Sequence, residues 1–301
     1  MIKLITHTDL DGISNVILLN LCNIEFEYEL KEISELNDYL KFFMNTDLSI
    51  YSDIYITDLS LNEDIYKLIN SSEYKDKFKI FDHHKTHLFA KDYKNVYIDI
   101  NNCGTSLFYN YLKNIYDIGK DSVAKYVEHV LNLDLWLWIE KNDIMAKNLD
   151  MLISIYGKEE FVKEMTKRLK RNDIFKLSSF EKKYLNLKQS IIDEYILKKE
   201  EELIKIKYEK YLAGLVFASR YKSELGNTLC TRHKELDFVI IINMEGGISL
   251  RAIKDGVDLS IIASKINGGG HKLASGAPIP DVKKFGFVKE IFKGCVIIED
   301  R

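Results

Sequence analysis

The sequence predicts an α/β protein in which a domain built on a mainly parallel sheet is joined by a helical connector to a smaller α/β domain. Three observations predict it. Short apolar runs alternate with amphipathic stretches over residues 1 to about 115, a charged stretch with one apolar stripe occupies 177–211, and short apolar runs return from 212 onward. Strands that alternate with helices run parallel, because each helical crossover returns the chain to the end of the sheet where the previous strand began. A chain of 301 residues suits two domains, at roughly 100 to 200 residues each.

Taken in order, strands are expected at Met1 to Ile5, Phe26 to Leu30, Ile54 to Thr57, Lys79 to Asp82 and Val96 to Ile98. Helices are expected between them at Ser14 to Asn23, Glu35 to Met44, Asn62 to Ile69 and Thr105 to Ile115, the last capped by Thr105 or Ser106 after Gly104. From Ser122 to about Arg171 the pattern is helical and carries Trp136 and Trp138 beside Asp134. Leu177 to Tyr211 sets Leu185, Ile192, Ile196, Leu203 and Ile206 among many Lys and Glu, which suits one long helix with a single buried stripe. Beyond it, strands are expected at Leu212 to Ala218, Phe238 to Met244, Ile248 to Ile253 and Val296 to Ile298, with helices at Glu224 to His233 and Leu259 to Ile266. Glu245-Gly246-Gly247 reads as a hairpin turn and Asp258 as a helix cap. The expected division is 1–172, a connector at 173–209, and 210–301.

Hydrophobic residues make up 46% of the chain and charged residues 30%, an ordinary globular balance. The formal net charge is -3. Gripping long nucleic acid takes many Lys and Arg to replace phosphate counterions, so this balance disfavours long-duplex binding and leaves short oligomers open. No apolar run reaches the roughly 18 residues of a membrane span, and Met1 to Ile5 is too short for a signal peptide, so a cytoplasmic location without membrane contact is expected. Cys22, Cys103, Cys230 and Cys295 form no Cys-x-x-Cys pair, which suits neither a zinc knuckle nor a disulfide framework.

Acidic and imidazole groups gather at the ends of the expected elements. His7-Thr8-Asp9-Leu10-Asp11-Gly12 follows the first strand, Asp58 ends Ile54-Tyr55-Ile56-Thr57, Asp82-His83-His84 closes Lys79-Ile80-Phe81, and Asp134 sits in Leu133-Asp134-Leu135-Trp136. That rim is where open parallel sheets bind ligands. Extended alternation would send His7, Asp9 and Asp11 to one side of the chain, while the plainer reading makes Asp11 the cap of a helix starting near Ser14. Without metal these carboxylates would repel. A carboxylate such as Asp58 can bridge two cations, and two cations a few ångströms apart stabilise both the attacking and the leaving oxygen of a phosphoryl transfer. Oxygen mixed with imidazole suits Mn2+ better than Mg2+.

Nearer the carboxy terminus, the backbone amides of Gly268-Gly269-Gly270 can approach a phosphate closely, and His271 and Arg251 can add charge-assisted hydrogen bonds. The plainer reading is a glycine stop for a helix ending at Asn267. Arg220 and Lys222 are further candidates for phosphate contact. Trp136, Trp138, Tyr109 and Tyr221 are candidates for base stacking in a chain with enough aromatics that most must be core. His87, Asp92 and Asp99 read as surface or structural residues.

In this order, the clusters resemble the DHH phosphoesterase superfamily, named for the motif at Asp82-His83-His84. Ser249-Leu250-Arg251, Val257-Asp258 with the helix through Ala263, and Gly268-Gly269-Gly270-His271-Lys272 with Ala274 and Gly276 are similar to its DHHA1 substrate-binding domain. The likeness spans residues 3 to about 279. It implies one metal held by His7, Asp9 and Asp58, and a second held by Asp11, Asp58, His83 and Asp134. Asp134 rests only on its Leu-Asp-Leu-Trp neighbourhood, with His129 and Asp143 close by in sequence. The resemblance also implies that Asp82 orients the imidazoles, that His84 meets the scissile phosphate or assists protonation of the leaving oxygen, and that Arg251 and Gly268 to His271 anchor substrate. Arg220 and the segment through Asn227 resemble the small stand-alone nanoRNases.

That likeness implies a phosphodiesterase with two divalent ions, Mn2+ foremost and Mg2+ or Co2+ as alternatives. Its expected substrates are linear dinucleotides to about pentamers of RNA, hydrolysed to nucleoside monophosphates by activated water, with 3',5'-bisphosphate nucleotides as a second class. The alternatives are a cyclic dinucleotide or single-strand DNA phosphodiesterase, and a non-catalytic nucleotide sensor. A homodimer is compatible with the sequence.

Overall fold

The computed structural model describes residues 1–171, 176–280 and 283, and the chain divides into two compact units, Met1–Leu185 and Asn186–Arg301. In the first unit β1 (Ile2–Thr6), β2 (Phe26–Leu30), β3 (Asp53–Thr57), β4 (Phe78–Asp82) and β5 (Val96–Ile98) form one sheet. Its order is β2-β1-β3-β4-β5 and every neighbouring pair is parallel. Helices α1 (Leu10–Leu21), α2 (Ile33–Phe43), α3 (Glu63–Ser71) and α4 (Gly104–Leu112) alternate with the strands as expected. Leu4, Ile5, Ile54, Tyr55 and Ile56 are buried in succession, the mark of strands covered on both faces.

Two helix caps differ from expectation. Helix α1 begins at Leu10 rather than Ser14 because Asp9, not Asp11, caps it, accepting from the Gly12 amide at 3.0 Å. Helix α4 is capped by Cys103, whose sulfur accepts from Ser106 N at 3.4 Å; Thr105 is already inside the first turn, with its hydroxyl donating to the Asp11 carbonyl. The tract from Ser122 to Arg171 is three helices, α5 (Asp121–Asp134), α6 (Ile144–Tyr156) and α7 (Lys158–Arg171), and α7 packs on α1.

The expected long helix is α8 (Ser179–Glu201), and it stops well short of Tyr211. The chain continues as β6 (Ile204–Tyr208), where Ile204-Lys205-Ile206-Lys207-Tyr208 alternates with the period of a strand. Lysine on an edge strand is also a common guard against unwanted pairing. The second unit goes on through β7 (Tyr211–Phe217), α9 (Lys222–Arg232), β8 (Phe238–Asn243), β9 (Gly247–Arg251), α10 (Leu259–Ser264), β10 (Gly269–Gly270) and β11 (Ala274–Ala277). Its sheet runs β10-β11-β9-β8-β7-β6, antiparallel except for β7 with β8. Ala213, Phe238, Leu250, Leu259 and Ala263 make its core. The strand expected at Val296 to Ile298 lies outside the described residues. Among the described residues no helix is long and apolar enough to cross a membrane.

The glycine run belongs largely to this framework. Asn267, at φ 58°, ends the helical segment in the left-handed region, so no glycine is needed for the stop. A Cβ on Gly268 would sit 2.1 Å from the Gly276 carbonyl oxygen, and Gly270 has φ 134° with the Ala274 oxygen 2.7 Å from where a Cβ would be. Only Gly269 opens onto unfilled space within 4 Å. Gly268→Ala is therefore expected to lower unfolding free energy by about 1–3 kcal/mol. Gly269→Ala should change it by less than about 0.5 kcal/mol. Urea unfolding of the two variants checks this, and equal midpoints would refute it.

Candidate functional site

Strand register assembles the site. Thr6 lies beside Thr57 and Thr57 beside Phe81, so His7, Asp58 and the Asp82-His83 pair emerge next to one another on strands about 4.8 Å apart. The order β2-β1-β3 makes a switch point there, where neighbouring crossovers leave to opposite sides and open a crevice. Helices α1 and α4 start at the same rim. Asp11, buried in the first turn of α1, accepts from the amides of Gly104 at 2.7 Å and Thr105 at 2.8 Å, so the amino terminus of α4 holds its carboxylate. His7, Asp9 and Asp11 do share the site, but by a strand end, a cap and a helical turn rather than by extended alternation.

Two triads result. His7, Asp9 and Asp58 present ligand atoms all within 4.8 Å of one another, and so do Asp11, His83 and Asp134; Asp58, Asp82, His83 and His84 form a further group that meets the same limit. Asp58 stands between them: Oδ2 is 3.5 Å from His7 Nδ1, and Oδ1 is 3.3 Å from His83 Nε2. His83 Nε2 is also 3.4 Å from Asp134 Oδ2, whereas His129 and Asp143 pair with each other at 2.8 Å. The Asp58 backbone sits at φ 56° with its amide donating to the Phe81 carbonyl at 2.8 Å. Left-handed geometry costs a non-glycine residue roughly 1–2 kcal/mol, though aspartate tolerates it better than most. A Cβ on Gly104 would come 2.7 Å from Asp58 Cβ, so α4 can start this close only with glycine there. Glu32, which no motif singled out, adds a carboxylate 3.7 Å from His7 Nε2.

The electrostatics favour cations. Burial pushes the Asp58 carboxyl well above the usual range, and the charges of Asp11 and Asp9 push it further. Burial and Asp11 likewise push Asp134 up to about 7. Oδ2 of Asp58 and Oδ2 of Asp134 are buried without a hydrogen bond among the described residues. Crowded, under-satisfied oxygens beside two imidazoles are a donor set that fits divalent metal ions.

A pH dependence follows. Burial pulls His7 down, but Asp58 and Asp9 outweigh it and hold the imidazole up at about 11. Stability from a raised histidine is fully present below its unfolded pKa and is lost as pH climbs through the folded one. A raised carboxyl has the same sign, because the folded state keeps a proton that the unfolded chain has released. Chelator-treated protein is therefore expected to lose Tm between about pH 5 and about pH 8, and Mn2+ should restore it with release of protons. A Tm flat across that interval would contradict the argument.

Asp82 faces a different set of partners. Its buried carboxylate lies 2.7 Å from His84 Nδ1 and 2.5 Å from His87 Nδ1. His87 Nε2 accepts from the Leu61 amide at 3.3 Å, so the ring proton is on Nδ1 and is donated to Asp82. Burial raises Asp82, but His84 and His87 outweigh it and hold the carboxyl well below the usual range. His87 is fully buried against Tyr66, not a surface residue. The signal was its spacing: in the 3-10 turn Lys85–Ala90 and its cap, residues three apart eclipse, so His84 and His87 reach one carboxylate. His87→Ala strips a hydrogen-bond donor from a buried carboxylate, and a loss of about 1–3 kcal/mol in unfolding free energy is expected. A loss below about 1 kcal/mol in denaturant titration would remove that role.

In the second unit Arg251 donates from Nη1 to the Leu250 carbonyl at 2.9 Å and from Nη2 to Ser223 Oγ at 3.0 Å, at the start of α9. Gly226 packs on its stem. Arg220 precedes that helix, whose amino terminus has no side-chain cap. Register sets Arg251 beside Ala274, which closes the turn opened by His271; His271 N donates to the Ala274 carbonyl at 2.8 Å. Tyr109 is buried and Tyr221 stands edge-on to Tyr195.

Comparison with known proteins agrees with this architecture. Residues 217–297 match the DHHA1 domain. The chain is 32% identical over 307 residues to the oligoribonuclease NrnB of Bacillus subtilis, covering 97% of this chain and 76% of that one. Among solved structures, the pGpG-specific phosphodiesterase PggH from Vibrio cholerae superposes with a TM-score of 0.55 at 13% identity, over 97% of both chains. The exonuclease RecJ bound to manganese does so with 0.52 at 10%, over 96% of this chain and 88% of that one. These two share the fold.

Proposed function

Because the chain belongs to the DHH–DHHA1 phosphoesterase family, we propose that it is a divalent-metal-dependent oligoribonuclease that releases nucleoside monophosphates from linear dinucleotides and oligomers up to about pentamers. The observation that carries the reading is Asp58, one oxygen turned to each imidazole, between two ligand triads. The likeness to NrnB and the pGpG specificity named for PggH support a short linear substrate.

His7, Asp9 and Asp58 would hold one cation and Asp11, Asp58, His83 and Asp134 the other, with Mn2+ favoured because imidazole joins oxygen in both sets. Such a pair, when bound, supplies a nucleophile from water at neutral pH and stabilises both oxygens of an in-line displacement. The rest falls to the chain's own groups. Asp82 fixes His84 through Nδ1, so Nε2 is the nitrogen that would donate to a phosphoryl oxygen or protonate the leaving oxygen. His87 keeps Asp82 in place without neutralising it, since its own tautomer is uncharged. Arg251, Arg220, His271 and the amides of Gly268, Gly269 and Gly270 would anchor the far phosphate or terminal nucleotide.

Labelled RNA dimers to pentamers should yield mononucleotides with Mn2+ and not with chelator, faster than cyclic dinucleotides or 3',5'-bisphosphate nucleotides. Faster turnover of the cyclic substrates would replace the linear reading. Asp58→Ala should lower the rate at least about 10³-fold, since even loss of a group behind the ligands costs 10 to 100-fold. Near-wild-type activity of that variant would sink the two-metal assignment.

A further inference from the structure

Between α5 and α6 the chain runs from Asp134, which faces His83, to Asp143, the cap of α6. The loop is tied along its length. Trp136 N donates to Leu133 O at 3.0 Å, Trp138 N to Asn132 O at 3.0 Å, and Asp143 N to Trp138 O at 2.8 Å. Asp143 Oδ2 then accepts from Asn132 at 2.8 Å and meets His129 Nδ1 at 2.8 Å, which fastens the far end of the loop to α5. Bonded at both ends, the segment fixes the backbone from which Trp136 and Trp138 project.

Within it Trp136 adopts φ 61°, a left-handed conformation that tryptophan has no intrinsic reason to take. The strain does not bury the ring, which is 36% exposed and edge-on to Trp138 at 5.9 Å and 74°. The indole N–H of Trp138 is buried without a hydrogen-bond acceptor among the described residues, and Lys147 Nζ lies 5.5 Å over its ring. Trp136 is two residues from Asp134, so their Cα atoms are at most about 7.6 Å apart. With its backbone in the left-handed region, its loop tied at both ends and its side chain partly exposed, Trp136 stands two residues from a carboxylate of the cluster.

We propose that Trp136, backed by Trp138, is the platform on which a nucleobase of the substrate stacks when its phosphate lies at the Asp58–Asp134 cluster. The proposal rests on the phosphodiesterase reading and adds the base subsite to it. Every base offers a flat π-face, so such a platform binds without choosing sequence, as a scavenger of mixed oligomers requires. A ring packed edge-on against Trp138 on a tied loop loses less entropy on binding than a mobile one.

Trp136→Ala and Trp136→Phe would be assayed on an RNA dinucleotide and on the two analogues in which one base is removed. The alanine variant should raise KM for the intact dinucleotide about 5- to 150-fold, the span expected for one stacked base, with kcat within about threefold. Phenylalanine should retain most of the affinity. On one of the abasic analogues the alanine variant should match the wild type within about twofold. KM unchanged on the intact dinucleotide, or the same loss on both abasic analogues, would overturn the proposal. If the wild type turned over no dinucleotide, the functional reading would fail separately, and stacking would be read from fluorescence with AMP. The chain has only two tryptophans, so quenching in the wild type that disappears in Trp136→Phe supports the platform. Absent or equal quenching overturns it.

Discussion

Like charge crowded into one end of a parallel sheet is the constraint on which the first unit depends. Asp11 and Asp58 are buried, and Asp9 and Asp134 stand at the same rim. Two carboxylates about 4 Å apart repel by about 4 kcal/mol at an effective dielectric of about 20. No sheet would gather them for stability. Each has therefore been given something to offset its charge: helix amides for Asp11, a cap for Asp9, imidazoles for Asp58 and Asp134. The imidazoles stand 3.5 and 3.4 Å off and leave the buried Oδ2 atoms of Asp58 and Asp134 without a hydrogen bond among the described residues, and divalent cations would complete those.

That electrostatic demand sets the backbone. Asp58 must leave β3 in the left-handed region to turn one oxygen toward each imidazole, and α4 must begin with glycine to bring its amides onto Asp11. Asp82 is the counter-example within the same motif. One of its oxygens comes within 4.8 Å of ligand atoms of Asp58, His83 and His84, yet both of its oxygens are engaged by its own pair of histidines, His84 and His87. His84, like His87, is held through Nδ1 by Asp82, and on the proposed function its Nε2 would donate a proton.

Much of this was legible in the sequence, because period-two and period-3.6 patterns are written directly in apolar positions. The five strands of the first sheet could be read within a residue or two, and with them the rim that carries His7, Asp58 and Asp82. Features that depend on which neighbour wins a hydrogen bond could not be read the same way. Asp9 and Asp11 are equally good caps on paper, and the choice was made by the Gly104 amide from the other side of the fold. Strand β6 was hidden because its lysines carry the charge of the helix before it, although its isoleucines alternate. His87 read as surface or structural, and the choice between the two depended on the 3-10 turn that brings it back onto Asp82, a turn the apolar pattern does not show.

The second unit follows the opposite logic. Its candidate residues are first of all bound into its own fold: Gly268 and Gly270 by the Gly276 and Ala274 carbonyls, Arg251 by Leu250 and Ser223. Engagement of that kind does not argue against binding. A guanidinium has five N–H donors, and two fixed to the protein leave others aimed in a set direction. Holding the group still removes the entropy that a mobile arginine would lose on meeting a phosphate. The first unit concentrates unsatisfied charge where chemistry needs it, whereas the second satisfies its groups beforehand. On the proposed function, reaction and anchoring would make those separate demands on a polar side chain.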